Sequence, residues 1–340
     1  MIAFSKLIMY EDLADFSLKH LEKLGASYVE ARLEDLKGSG YIIKNGNVEL
    51  SGFDHSLGLG LRFIVNGALG FISINEFKRN SITKLINKSF NLTKNSSNIS
   101  ERVNLSEEKI VNANYKVNQK QKLDTISPEE KIKFLLDIDK EINQKYYRFF
   151  SLGDSITRKY FVNSEGTKII SEIPRVNFYY FITVLMKNKS MQRYLPYGNT
   201  GGWEVIKKWN LKKNILSEIK ALENVIKNGV KPPKGKIDVV VGPEVTGIAS
   251  HEGVGHPYEA DRILGREAAQ AGESFVTQKM LNTRIGSEVV NVIEDPTIKD
   301  SYGFYLYDDE GVKARKKYLI KKGMINEFLH NRETAFEMNT

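Results

Sequence analysis

The chain has 340 residues, 41% of them hydrophobic, which is long enough for two domains and more than one core and excludes wholesale disorder. Its formal charge of +8 is the remainder of 50 basic and 42 acidic residues. The densest basic runs, residues 207–213 and 313–322, are interleaved with apolar side chains as solvated faces are, so nucleic-acid binding is not expected. The longest apolar run, Phe178 to Met186, is far short of a bilayer span, no signal peptide is evident, and there is no cysteine; a cytoplasmic protein without membrane association or disulfides is expected.

Glu11 to Leu24 reads as an amphipathic helix ended by Gly25. From Tyr28 to Ile74 the period switches to two, and Asn45-Gly46 and Asn66-Gly67 are hairpin signals, so a small meander packs on the helix. His20 reads as a surface residue, and His55 as a turn residue with no partner motif. Ser81 to Leu92 predicts a second helix, and residues 93–122, rich in Asn, Ser and Lys, a surface linker or mobile segment. Ser127-Pro128-Glu129-Glu130 is a capping box that opens a third helix. Strands follow at residues 155–162, 167–173 and 178–186, then a flexible connection at 197–202 and a long helix, residues 204–228.

Lys231-Pro232-Pro233-Lys234-Gly235 marks the clearest boundary. Beyond it, Ile237 to Val241 predicts a buried strand, and Gly242-Pro243-Glu244 starts a helix. Residues 287–294 and 303–307 read as further strands, and 314–320 pairs with 324–329. The order predicts an α+β fold: an N-terminal helix and antiparallel-sheet domain, residues 1–229, then a mostly β C-terminal domain, residues 230–340, that carries a histidine motif on its first helix.

That motif is His251-Glu252-Gly253-Val254-Gly255-His256, followed by Glu259 and Asp261; it brings together two of the five histidines. Two imidazoles with an adjacent glutamate are the inventory of a zinc hydrolase site. The histidines stand at i and i+5, which a regular α-helix places roughly 140° apart, too far round to share an ion. Joint ligation therefore requires a π-type bulge or local unwinding, for which Gly253 and Gly255 leave room. The other reading makes one histidine a helix cap and the other a surface residue.

The motif resembles the HExxxH signature of the TldD/PmbA peptidases, on the TldD side. Gly58 to Arg62 with Gly67 to Phe71 is similar to that family's amino-terminal strand pair, and Asp308-Asp309-Glu310-Gly311 to the segment after its metal motif. The resemblance implies a zinc peptidase acting on small or unfolded peptides, with His251 and His256 as metal ligands and Glu252 as general base. It also implies a dimer, either of identical chains or with a PmbA/TldE-like subunit, and a C-terminal domain that is incomplete here. A non-catalytic assembly or peptide-binding subunit is the alternative. The family's third ligand is a downstream cysteine, absent from this chain; Glu259 and His330 are the candidates within it, and Glu259 and Asp261 also read as carboxylates that orient the imidazoles.

Overall fold

The computed structural model describes residues 4–186, 188–267 and 273–340. Helix α1, Phe4–Leu24, leads into strands β1, Tyr28–Lys44, β2, Asn47–Val65, and β3, Ala68–Ile74. Two asparagine–glycine pairs close the hairpins, with φ of 49° and 81° at Asn45-Gly46 and 53° and 85° at Asn66-Gly67. Left-handed angles at both central positions match the right-handed twist of the flanking strands. Helix α2, Arg79–Ser96, follows, then β4, Asn112–Lys116, α3, Pro128–Asp139, and strands β5, Tyr147–Asn163, β6, Lys168–Met186, and β7, Lys189–Thr200. The first residues of α3 form the expected capping box: the Glu130 amide donates to Ser127 Oγ at 3.2 Å and the Ser127 amide to Glu130 Oε2 at 3.0 Å.

These strands make one seven-stranded sheet in the order β3-β2-β1-β5-β6-β4, with β7 also on β6; only the β4–β6 pair is parallel. Period-two burial along β5, β6 and the second half of β2 supplies apolar faces for two cores. Leu33, Leu61, Phe63 and Ile72 pack with Ala14 and Leu21 of α1 and Ile82, Ile86 and Phe90 of α2. Phe150, Phe178, Tyr180 and Ile182 pack with Leu135 and Ile138 of α3 and with Ile215, Ile219 and Leu222 of helix α4, Leu211–Asn228. Each such side chain removed from water contributes about 1.5–3 kcal/mol.

Several expectations from sequence are revised. Residues 93–122 hold the last turn of α2 and the edge strand β4, which finds its partner in Lys168–Glu172 of β6. Residues 197–202 are not a free connection, because β7 stays paired to β6 through Thr200. The helix expected from residue 204 is broken: a 3₁₀ segment, Trp203–Trp209, precedes α4, and Asn210 between them is left-handed at φ 46°. His55 lies within β2, and its Nε2 meets Asp35 Oδ1 at 2.7 Å.

After α4 come helices α5, Pro243–Ser250, and α6, Ala260–Ile263, a small sheet of β8, Val292–Glu294, β9, Lys317–Lys321, and β10, Met324–Ile325, and helix α7, Arg332–Met338. The buried strand expected at Ile237 to Val241 is an exposed extended segment, with Val239 at 70% and Val240 at 104% exposure. An apolar run becomes a buried strand only where another element covers it, and among the described residues none pairs with it. The expected strand at residues 303–307 is likewise irregular, with Tyr307 making one isolated bridge to Lys313.

Charge joins this region to the large sheet. Asp309 meets Arg32 of β1 at 3.0 Å and Lys159 of β5 at 2.8 Å, while Glu310 bonds Arg62 of β2 and accepts the Arg332 amide at 2.7 Å. Arg332 itself is buried, with both ends of its guanidinium on Glu165 at 2.8 Å and its Nε on the Ser106 carbonyl at 3.0 Å. Bidentate guanidinium–carboxylate pairing fixes orientation as well as distance. The Asp308-to-Gly311 segment is thus the seam between the two parts of the chain.

Candidate metal centre

Helix α5 starts at Pro243, whose missing amide hydrogen is no loss in a first turn. It runs without interruption into a π-helical turn, His251–Gly255. The His256 amide donates to the His251 carbonyl, a bond five residues long. One such bond closes a turn in about five residues, so side chains i and i+5 stack on one side instead of diverging. The ring centroids of His251 and His256 lie 4.4 Å apart, tilted by 70°. Donor atoms of His251, Glu252 and His256 all lie within 4.8 Å of one another.

Neither left-handed angles nor close contacts require glycine at positions 253 and 255. Neither Gly253 nor Gly255 has positive φ; Gly255 sits at φ −52°, ψ −67°. A Cβ at Gly253 would meet nothing within 4 Å, and one at Gly255 would come 3.9 Å from His251 Nδ1. The wider turn is built from helical angles and ends where the 3₁₀ turn His256–Tyr258 begins.

His251 and Glu252 are open to solvent, with side chains 63% and 67% exposed and His251 Nε2 4.0 Å from Glu252 Oε1. His256 is half-buried, and its Nδ1 meets Glu259 Oε1 at 2.8 Å. The other oxygen of Glu259 accepts from Arg262 Nε. Burial alone would raise the Glu259 pKa; the hydrogen bonds from Arg262 and His256 outweigh it and hold the carboxyl below its usual range. Beneath them, Tyr258 is fully buried against Phe328, and burial pushes its hydroxyl up to about 12.

The other sequence candidates stand apart. Asp261 accepts the Arg262 amide at 2.9 Å, an ordinary helix-start contact. His330 Nδ1 lies 3.2 Å from Thr334 Oγ1, and burial lowers its pKa from the usual histidine value. Neither joins the three-donor group, and among the described residues no fourth His, Asp or Glu does. Glu259 was legible as a candidate, but its partner Arg262 was not; an arginine three residues on is a common surface pairing and gave no signal.

Three models of the PmbA/TldA metallopeptidases match the chain: domain 1 at residues 29–92, the central domain at 121–227 and the C-terminal domain at 234–340. A metalloprotease of Methanocaldococcus jannaschii is 33% identical over 331 residues, 95% of this chain and 70% of that protein. The chain belongs to the PmbA/TldD metallopeptidase family. Similarity extends to a metalloprotease of Archaeoglobus fulgidus, 29% identical over 86% of this chain and 64% of its own, and to a zinc metalloprotease TldD homolog of Saccharolobus solfataricus, 26% identical over 93% and 67%. The chain therefore spans about two thirds of the length of these PmbA/TldD relatives. Among solved structures, TldE from Thermococcus kodakarensis superposes with a TM-score of 0.70 at 16% identity, covering 97% of this chain and 71% of that one. A Bacteroides thetaiotaomicron protein superposes with a TM-score of 0.72 at 17% identity, covering 97% and 74%. At that identity these two share the fold alone. The family's metalloprotease members imply a metal, and the imidazole–carboxylate–imidazole group is a donor set that suits one.

Proposed function

We propose that this chain is a zinc-dependent peptidase, with His251 and His256 as ligands and Glu252 as the general base. The observation that carries this reading is the π turn, which brings together two imidazoles that a regular helix would separate. Paired imidazoles match the ligand preferences of zinc. When bound, zinc supplies a Lewis acid that polarises a carbonyl and brings the pKa of water down to about 7. Glu252, adjoining the first imidazole and exposed to water, takes the proton of the attacking water and returns it to the leaving amine. His251 and His256 each offer one ring nitrogen to the ion. These 340 residues contain no cysteine, the residue type of the third ligand in the family pattern.

The substrates are small or unfolded peptides. An exposed Glu252 and His251 leave the centre in contact with water, so a cover is needed for efficient chemistry. Pairing with an identical chain or with a TldE-like subunit supplies it, in the cytoplasm; a TldE structure shares the fold. No helix among the described residues is long and apolar enough to cross a membrane.

The test is zinc content and peptide cleavage side by side. Glu252→Gln keeps the metal and loses cleavage by about 10²–10⁴-fold, the usual range for a general base. His251→Ala and His256→Ala lose the metal. Wild-type chain, alone or with its partner subunit, that neither holds zinc nor cleaves an unfolded peptide refutes the reading. The same exposure favours one other assignment, an assembly subunit without catalysis. In that case a complex would keep its cleavage activity when His251→Ala is introduced here.

A further inference from the structure

We infer that Glu259, clamped by Arg262, is the positioning residue that fixes the ring of His256 and points its Nε2 at the metal. This rests on the zinc-site reading above and deepens it. A carboxylate accepts hydrogen bonds and cannot donate them, so the 2.8 Å contact makes Nδ1 of a neutral His256 the protonated nitrogen. The lone pair is then on Nε2, the only nitrogen left to hold an ion. Which nitrogen of a histidine binds metal is set by the hydrogen bond that the other makes.

The geometry also separates two roles open to Glu259 from sequence alone. Its Oε1 is taken by His256 and its Oε2 by Arg262, and it is not among the three clustered donors. It is therefore no third ligand.

What holds Glu259 in place is its backbone. At φ −67° and ψ 121° it has left the helix, and its isolated parallel bridge to Leu329 includes the Ala260 amide on the Leu329 carbonyl and the Leu329 amide on the Tyr258 carbonyl, both at 2.8 Å. Tyr258 on one side is fully buried, and the Arg262 side chain on the other is 11% exposed. The carboxylate thus stands on a rigid strip of chain while the π turn above it is short and exposed. Rigid support of this kind is what keeps a ligand within a productive angle.

The tautomer can be read without metal or activity. In full-length chain labelled with ¹⁵N-histidine, long-range proton–nitrogen correlations at a pH where imidazole is neutral should show His256, assigned by its loss in His256→Gln, as the Nδ1–H form. Glu259→Ala should lose that preference, and Glu259→Gln, whose amide oxygen still accepts, should keep it. In zinc competition against a chromophoric chelator, Glu259→Ala should bind about 10–100-fold more weakly than wild type, the usual loss for such a partner, with Glu259→Gln in between. An Nε2–H form in wild type, or variants indistinguishable from it, overturns the assignment. Wild type that takes up no zinc yet shows the Nδ1–H form overturns the zinc reading and not the Glu259–His256 contact. Matching thermal midpoints of the metal-free proteins show that the losses are local, and Arg262→Met, which frees the carboxylate without touching His256, should lower zinc affinity if Glu259→Ala fails to fold.

Discussion

Asp308 offers the sharpest test of how the seam between the two parts of the chain is held. Its Oδ1 accepts the amides of Glu310 and Val312, each at 2.9 Å, which shapes the turn that carries Asp309 and Glu310 to their basic partners. Burial pushes its pKa from the ordinary 3.8 up to about 6; the backbone bonds oppose this, and the charges of Glu310 and Asp309 reinforce it. The folded state therefore holds the proton more tightly than the unfolded chain. Its contribution to stability is full below about pH 4, falls as pH rises to about 6, and stays lost above. The gap between 3.8 and about 6 corresponds to about 3 kcal/mol, which partial contact with water reduces to about 1–2 kcal/mol. Asp308→Asn keeps the accepting oxygen and removes the charge, so it should stabilise the protein by about 1–2 kcal/mol near pH 8, and the gain should vanish near pH 3.5. Urea midpoints at the two pH values measure it. A variant no more stable than wild type near pH 8, or a gain unchanged by acid, refutes the reasoning.

Three further outcomes follow from the packing. Gly311→Ala places a methyl group 2.7 Å from Phe161 Cε1 at a position with φ +80°, so a loss of more than about 2 kcal/mol is expected in the same urea assay. Arg332→Met strands Glu165 and the Ser106 carbonyl and should cost about 3 kcal/mol, with faster proteolysis after residue 230 as a second readout. Ser127→Ala removes the cap of α3 and should cost about 1 kcal/mol, and Ser127→Asn should restore most of it.

What could be read in advance was whatever local chemistry decides. The two Asn-Gly turns and the Ser127 capping box depend on a few neighbouring residues, and each formed as written. Joint ligation at i, i+5 spacing required a widened or unwound turn, and helix α5 ends in a π turn. What escaped depended on distant partners. Residues 167–173 and 178–186 were expected as separate strands, yet β6 runs through Pro174 from Lys168 to Met186. Its backbone faces the end of the β7 ladder, where the carbonyl accepts from Gly201 and the missing amide hydrogen interrupts nothing on the β5 side. Ile237 to Val241 has the composition of a core strand, but composition cannot say whether a covering element exists. Glu259 was legible as a carboxylate that could orient an imidazole, but its support was not: the bridge to Leu329 comes from seventy positions downstream.

That bridge to Leu329 ties the histidine turn to a distant anchor. Leu329 lies just before Arg332, whose amide and side chain grip Glu310, Glu165 and Ser106, and Glu310 in turn grips Arg62 on β2. Ion pairs and hydrogen bonds thus run from Arg62 of β2 through Glu310 to Arg332, three residues beyond the Leu329 that holds the backbone of Glu259, so the strip beneath the histidine turn is anchored on the large sheet.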